Sequence, residues 1–228
     1  MVEIDFPERV LVAGATGFIG RNIVERLATD PRCSVTGVWN NRPPYECPGI
    51  TWVKADLTRQ EDVDRIVPGF DAIVQMAATT SGSKDIVNAP HLHIVDNVVM
   101  NSLLLRAAHD RDIKKLVFPS CSIIYPSRDK PHDETSLDPT IELHDRYFGS
   151  GWNKLYLERM CQFYAGLGRT QFSVIRHTNI YGPHDKFDLD KSHVFGATVT
   201  KTMMAEDKVS VWGNGREARD LLYVGDLV

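Results

Sequence analysis

Short β-branched apolar runs alternate along the chain with longer stretches in which apolar residues recur at helical spacing. The runs are Arg9 to Ala13, Ser34 to Trp39, Thr51 to Val53, Asp71 to Met76, Lys115 to Phe118 and Phe172 to Arg176. Between them lie Phe18 to Ala28, Arg59 to Ile66, Leu92 to His109 and Gly151 to Leu167, the first with Ile19, Ile23, Val24 and Leu27 on one face. Parallel strands must be joined by crossovers of about a dozen residues or more, usually helices, so this order predicts an α/β fold with a doubly wound parallel sheet. No internal repeat or low-complexity segment interrupts it. Two longer connections do: Ala78 to Pro90, rich in Thr, Ser and Gly, and Ser120 to Arg146, rich in Pro, Asp and Ser. Both leave from carboxyl ends of strands, where open α/β sheets hold their ligands, which makes them candidate walls of a site rather than tolerated insertions.

The first predicted strand runs straight into GATGFIG at positions 14 to 20, and a helix follows at once. Gly14, Gly17 and Gly20 allow a tight turn, close approach of a pyrophosphate and close packing of helix on strand, while Thr16, Phe18 and Ile19 complete the loop. Dinucleotide binding on a Rossmann-type sheet is the reading this context supports. After the second strand, where a carboxylate would bind a ribose 2′-hydroxyl, the chain carries Asn40, Asn41 and Arg42 and no acid. That favours NADP over NAD, against the alternative that Arg42 is only solvated. Asp56, followed by Leu57, ends the third strand; it would accept hydrogen bonds from an adenine amine or cap a helix beginning at Thr58.

Composition narrows the function classes. With 228 residues, 43% hydrophobic and 25% charged, the chain encloses a substantial core without disulfides or metal. A net charge of −4 with no basic block argues against nucleic acid and anionic membrane partners. Four cysteines, Cys33, Cys47, Cys121 and Cys161, lack paired zinc-site spacing and read as reduced thiols of a cytoplasmic protein. No cationic-apolar leader and no apolar run of about 18 residues is present, so neither secretion nor membrane insertion is expected. His91 and His93 have no carboxylate or cysteine at ligand spacing and read as the start of a helix, so no metal site is expected.

From Val10 to Val228 the chain resembles the extended short-chain dehydrogenase/reductase family, enzymes that epimerise, dehydrate or reduce nucleotide-linked sugars. The landmarks are GATGFIG, ADL at 55 to 57, VQMAA at 74 to 78, Asn97, CSIIYP at 121 to 126, Lys154, RHTNIYGP at 176 to 183 and RDLLYVGDLV at 219 to 228. Through NIYGPHDKFDLDKSHV at 179 to 194 it is most similar to the GDP-fucose synthase branch of epimerase/reductases, whose members typically use NADPH. The resemblance implies an NAD(P)-binding domain over 1–178 interleaved with a small, apparently truncated substrate lobe over 179–228. It implies a GDP-linked sugar substrate, with a 4-epimerase or dehydratase as the alternative, and cofactor contacts from Met76, Ala77, Ala78, Lys154 and His177. Asn179 and His184, in a loop after the sixth strand, would lie on the substrate side, and Arg219 would approach the substrate's phosphates. Members pair through two long helices, here 92–109 and 151–167, and both carry apolar residues on more than one face, so a homodimer is expected.

The family's chemistry uses a tyrosine as proton donor, four residues before the helical lysine and on the same face, assisted by a Ser or Thr on a neighbouring loop. Lys154 fits, but the position four before it is Ser150, which has no comparable acidity. Tyr147 would share that face only if the helix extended back to it. The supporting hydroxyl position carries Cys121, with Ser122 next to it. His193 matches the epimerising acid, while the position of its cysteine partner is Ile123; the alternative for His193 is a cap on its own helix. Three explanations stand: the tyrosine was replaced to trap a ligand, the protein uses another acid, or it binds nucleotide without turning it over. The ending in LLYVGDLV carries no helix stop signal, and relatives continue beyond it, so the substrate side is expected to be more open than the cofactor side.

Overall fold

The computed structural model describes residues 8–80, 88–126, 130–138, 140, 143–189, 192–211, 213–215 and 218–228. Parts of both long connections, and two residues of the 179–194 stretch, lie outside them. Six parallel strands form the main sheet: β1 (Arg9–Ala13), β2 (Ser34–Trp39), β3 (Thr51–Lys54), β4 (Ala72–Gln75), β5 (Lys115–Cys121) and β6 (Gln171–His177). Their spatial order is β3-β2-β1-β4-β5-β6, so the chain reverses direction across the sheet between β1 and β4. In such sheets the switch point is where a ligand crevice opens.

Helix α1 (Phe18–Ala28) covers one face of the sheet. Its Ile23 and Val24 pack on Val10 and Val12 of β1 and Val35 of β2. Helices α2 (Gln60–Ile66), α3 (Val95–Asp110) and α4 (Phe148–Gly166) cover the other. There Leu11, Ile73, Leu116 and Phe118 meet Val63, Leu104, Leu105, Leu157 and Cys161 in the larger core. Alternate strand residues point to opposite faces, so Val10 and Val12 belong to one core and Leu11 and Ala13 to the other. A near-continuous apolar strand is therefore what a two-sided sheet demands.

Several boundaries differ from the sequence-based expectation. β5 continues three residues beyond Phe118 to Cys121, because its register with β6 extends to Cys121 opposite His177. The third predicted helix begins as a 3-10 turn at Pro90–His93, which holds His91 and His93, before α3 proper starts at Val95. α4 starts at Phe148, after a separate 3-10 turn at Asp145–Tyr147. Tyr147 is thus the N-cap of α4, with φ −111° and ψ 5°, and does not continue the face shared by Ser150 and Lys154.

Beyond β6 the chain forms a separate parallel pair, β7 (Asn179–Tyr181) with β8 (Leu221–Tyr223), together with α5 (Val194–Met204) and the single turn α6 (Val224–Leu227). Asn179 therefore lies in a strand rather than a loop. Among the described residues no helix is long and apolar enough to cross a membrane.

Candidate nucleotide and hydride-transfer site

A cleft of about 590 Å³ opens at the carboxyl ends of β1 to β4. The glycine turn forms its floor. Gly14 has φ +72°, and a Cβ there would lie 2.5 Å from the Ala77 nitrogen, so the end of β4 runs directly against the turn. A Cβ at Gly20 would overlap the Gly14 carbonyl, which is how closely α1 packs on the turn. The Gly17 N–H donates to Gly14 O at 2.9 Å and the Ala15 N–H to Val38 O at 3.1 Å, fixing the loop to β2. α1 then starts with no side-chain cap and no acidic residue in its first turn. Its first N–H groups are left for a ligand, and a helix N-terminus with open donors suits an anion.

Thr16, Phe18 and Ile19 line the cleft beside the glycines, and Asn40, Asn41 and Arg42 line it from the end of β2. Arg42 Nη1 donates to the Thr16 carbonyl at 3.0 Å. From β3 come Asp56 and Leu57. Asp56 does not cap α2, which starts at Gln60 with Arg59 as its N-cap. Its Oδ1 instead accepts the Thr58 N–H at 3.0 Å and the Thr58 hydroxyl at 2.7 Å, a local turn that holds the carboxylate at the cleft.

Met76, Ala77 and Ala78 line the cleft from β4. Behind them is a network the sequence reading missed. Gln75 is buried; its Oε1 accepts the Ala77 N–H at 3.0 Å, and its Nε2 donates to Ala77 O at 3.0 Å and to Asn101 Oδ1 at 2.9 Å. Asn97 then grips the next residue: its Oδ1 accepts the Thr79 N–H and its Nδ2 donates to Thr79 O, both at 3.0 Å. These amides replace strand pairing where the sheet has ended, which is why polar residues stand mid-helix in α3. Asp185 and Lys186 on the opposite wall were also missed. Burial raises the Asp185 pKa, against the Lys186 N–H and the nearby His193, which lower it.

A second group of side chains lies at the carboxyl ends of β5 and β6. Cys121 ends β5, Ser122 opens the 3-10 turn Ser122–Ile124, and His177 ends β6. Lys154 reaches in from α4; its Nζ donates to the Pro119 carbonyl and lies 4.9 Å from the centre of the Phe118 ring. Burial pushes the Lys154 pKa down, opposed by Cys121 and Glu158. Burial pushes the Cys121 thiol up, opposed chiefly by Lys154. Burial holds His177 below its ordinary value, and Lys154 and His193 add to this against the contact of Nδ1 with Thr178 O at 2.8 Å.

Ser150 is half-buried and stands one helical turn before Lys154. Tyr125 does not stand in for a phenol there. Its hydroxyl accepts from Arg176 Nη1 at 2.8 Å, and its ring stacks on His132 at 4.8 Å. Arg176 also forms a pair with buried Glu158 of α4, Nη2 to Oε2 at 2.7 Å, which braces α4 against β6.

The remaining candidates are spread out. His193 lines the cleft at the N-cap of α5 but makes no capping hydrogen bond through its side chain, so the expected cap is not formed. His184 is directed away from the β5–β6 group: its Nε2 lies 3.0 Å from Glu25 Oε2 on α1. Asn179 Nδ2 donates to Asp220 O at 3.2 Å, tying β7 to β8. Arg219 is exposed and donates to the Ala218 carbonyl at 2.8 Å. Among the described residues no group of three potential metal ligands occurs.

The sequence matches the NAD dependent epimerase/dehydratase family over residues 10–228. The chain belongs to that family. Its members are nicotinamide-dependent epimerases, dehydratases and reductases of nucleotide sugars, and the chain shares their extended short-chain dehydrogenase/reductase fold. A GDP-L-fucose synthase from Sinorhizobium fredii is 30% identical, over 96% of this chain and 68% of its own length. The fold is shared with a Thermotoga maritima UDP-glucose 4-epimerase (TM-score 0.82, 23% identity, 96% of this chain and 70% of the other). It is shared as well with a Naegleria fowleri GDP-L-fucose synthetase solved with NADP (TM-score 0.76, 22% identity, 96% and 70%). The family's dinucleotide fits the residues present, because Gly14 and Gly20 let the turn pack directly on the end of β4 and on α1, and the start of α1 at the cleft carries no side-chain cap.

Proposed function

We propose that the chain binds NADP(H) and a GDP-linked keto sugar as an epimerase/reductase-type protein whose proton-transfer step lacks its usual phenol. The observation that carries this is the conjunction of a complete glycine turn with Lys154 buried at the end of β5 and Ser150 one turn before it. Gly14 to Gly20 would hold the pyrophosphate, Asp56 the adenine edge, and Asn40 and Arg42 the adenosine ribose and its 2′-phosphate. When bound, the dinucleotide supplies or accepts hydride at a sugar carbon.

The protein's own part is to position and to move a proton. Lys154, with its charge disfavoured by burial, would hold the nicotinamide ribose and polarise a neighbouring hydroxyl. Ser150, Ser122 and Cys121 would hold the sugar oxygen. A serine hydroxyl with a pKa far above neutrality does not deliver a proton as a phenol does, so turnover is slow. His193 lines the cleft, and the position matching its cysteine partner is Ile123, which does not ionise; that argues against a two-base epimerisation. Asn179 and Arg219 belong to the lobe over 179–228, whose strands β7 and β8 pair only with each other.

Nicotinamide absorbance with GDP-, UDP- and dTDP-linked keto sugars tests the reading. Slow oxidation of NADPH with a GDP-keto sugar is expected. No turnover with any sugar, in this chain or in Ser150→Tyr, would leave a nucleotide-binding protein without catalysis, the second reading that Ser150 favours.

The protein also pairs as a homodimer through α3 and α4. These helices pack side by side; Val95 (65%) on α3 and Trp152, Tyr156 and Phe163 (59%) on α4 are exposed, as is Leu92 in the turn before α3. Large apolar side chains exposed together on a helix pair suit an interface between copies. Sedimentation equilibrium should give a dimer, and Trp152→Glu with Phe163→Glu a monomer.

A further inference from the structure

A second cavity, of about 270 Å³, opens beside the dinucleotide cleft and shares Thr16, Gly17 and Arg42 with it. Its other side chains come from elements far apart in sequence: Arg21 on α1, Tyr45 after β2 and His184 in the turn after β7. Arg42, anchored on the Thr16 carbonyl, stands at the boundary of the two spaces. Arg21 is held from two sides, its Nε donating to Glu25 Oε1 at 2.8 Å and its Cζ lying 4.1 Å from the centre of the Tyr45 ring. Tyr45 is itself braced edge-on by Trp52 at 5.1 Å.

Glu25 organises the group from outside the cavity. One oxygen takes Arg21, and the other lies 3.0 Å from His184 Nε2. Burial would raise the Glu25 pKa, but the hydrogen bonds from Arg21 and His184 outweigh it and keep the carboxylate ionised. The cavity wall therefore carries two guanidinium groups, an imidazole and a phenol, and no carboxylate. Planar guanidinium donors on a rigid mount suit a phosphate monoester.

We propose that this cavity seats the 2′-phosphate of the dinucleotide, and that Arg21 and His184, together with Arg42, determine specificity for it. The proposal rests on the reading that the neighbouring cleft binds the dinucleotide. It gives the turn after β7 a part in reading the cofactor. That turn is anchored to α1 a second time, by Asn22 Nδ2 donating to Pro183 O at 2.9 Å, and it continues into Asp185 and Lys186 on the cleft wall. His184 has φ +70°, the left-handed region, which aims the chain back at α1.

The test is calorimetric titration of the whole chain with 2′,5′-ADP, 5′-AMP and inorganic phosphate. The wild type should bind 2′,5′-ADP at least tenfold more tightly than 5′-AMP, and inorganic phosphate far more weakly than either. Arg21→Gln and His184→Asn, the latter chosen because Asn tolerates the left-handed backbone, should each lower that ratio at least threefold. Their unchanged affinity for 5′-AMP shows that the fold is intact. A wild-type ratio of one would overturn both the NADP reading and this one. A wild-type ratio kept in both variants would overturn this assignment alone. Inorganic phosphate binding as tightly as 2′,5′-ADP would make the cavity a free-anion site and overturn its link to the cofactor.

Discussion

The two ends of the sheet are built on different principles. From β1 to β4 the site is made of backbone: a turn that needs the absence of side chains at Gly14 and Gly20, open N–H groups at the start of α1, and amide side chains that fix the strand ends. At β5 and β6 the site is made of side chains, and its chemistry depends on which atoms one or two positions carry. On the proposed reading, Ser150 stands where the second end would carry a phenol, and the first end has no contact that depends on it. On that reading the first end keeps what dinucleotide binding needs, whereas the second lacks its proton donor through one position. The sharpest way to test this contrast is to put the phenol back. Ser150→Tyr should raise the rate of hydride transfer by about 10²- to 10⁴-fold, the usual contribution of a positioned general acid, with little effect on NADP affinity. If stopped-flow absorbance shows no gain, the β5–β6 end has lost more than its acid.

The converse experiment breaks the first end. Gly20→Val pushes a branched side chain into the Gly14 carbonyl, an overpacking of backbone that neither side can relieve. A loss of about 3 kcal/mol in urea unfolding is expected, at the upper end for overpacked sites, along with loss of measurable dinucleotide binding. A smaller effect is expected at the brace within the second end. Glu158→Ala leaves the Arg176 guanidinium, whose side chain is 23% exposed, without its carboxylate partner. Because water still reaches Arg176, the cost should be about 2 to 3 kcal/mol, below the range for a fully buried pair.

These particulars show which signals the sequence carried. The strand segments and the parallel sheet were legible because a two-sided parallel sheet imposes long apolar runs, and the glycine turn because its geometry excludes side chains. The start of α4 was not legible. Nothing in HDRYFGSG distinguishes a 3-10 turn from a first helical turn, and the conformation of Tyr147 depends on tertiary context. The Gln75–Ala77–Asn101 network was also hidden, since a buried glutamine in VQMAA looks like any polar residue at a strand end. Two partners 26 residues apart meet only once α3 has packed. The contact of His184 with Glu25 was hidden for the same reason, since it spans 159 residues.

The subtlest consequence of the contrast lies in alkaline pH, where Lys154 and Cys121 pull in opposite directions. Burial depresses the folded pKa of Lys154 below 10.5. Between the folded pKa and 10.5 the unfolded chain binds more protons than the folded one, so stability rises with pH in that window. Burial raises the folded pKa of Cys121 above 9.0. Above 9.0 the unfolded thiol gives up its proton while the folded one keeps it, so stability falls with pH, and Cys161, pushed up to about 12 by burial, adds to the fall. Lys154 should therefore make urea midpoints climb with pH on the approach to 10.5, while Cys121 and Cys161 make them fall above 9.0. Lys154→Met should abolish the climb and leave the fall. Cys121→Ser should leave the climb and reduce the fall without removing it, because Cys161 still titrates. A pH dependence of the midpoint that is the same in the wild type and Lys154→Met would show that the ammonium is not held dry at the end of β5, and the proposed account of a buried lysine without its phenol would fail with it.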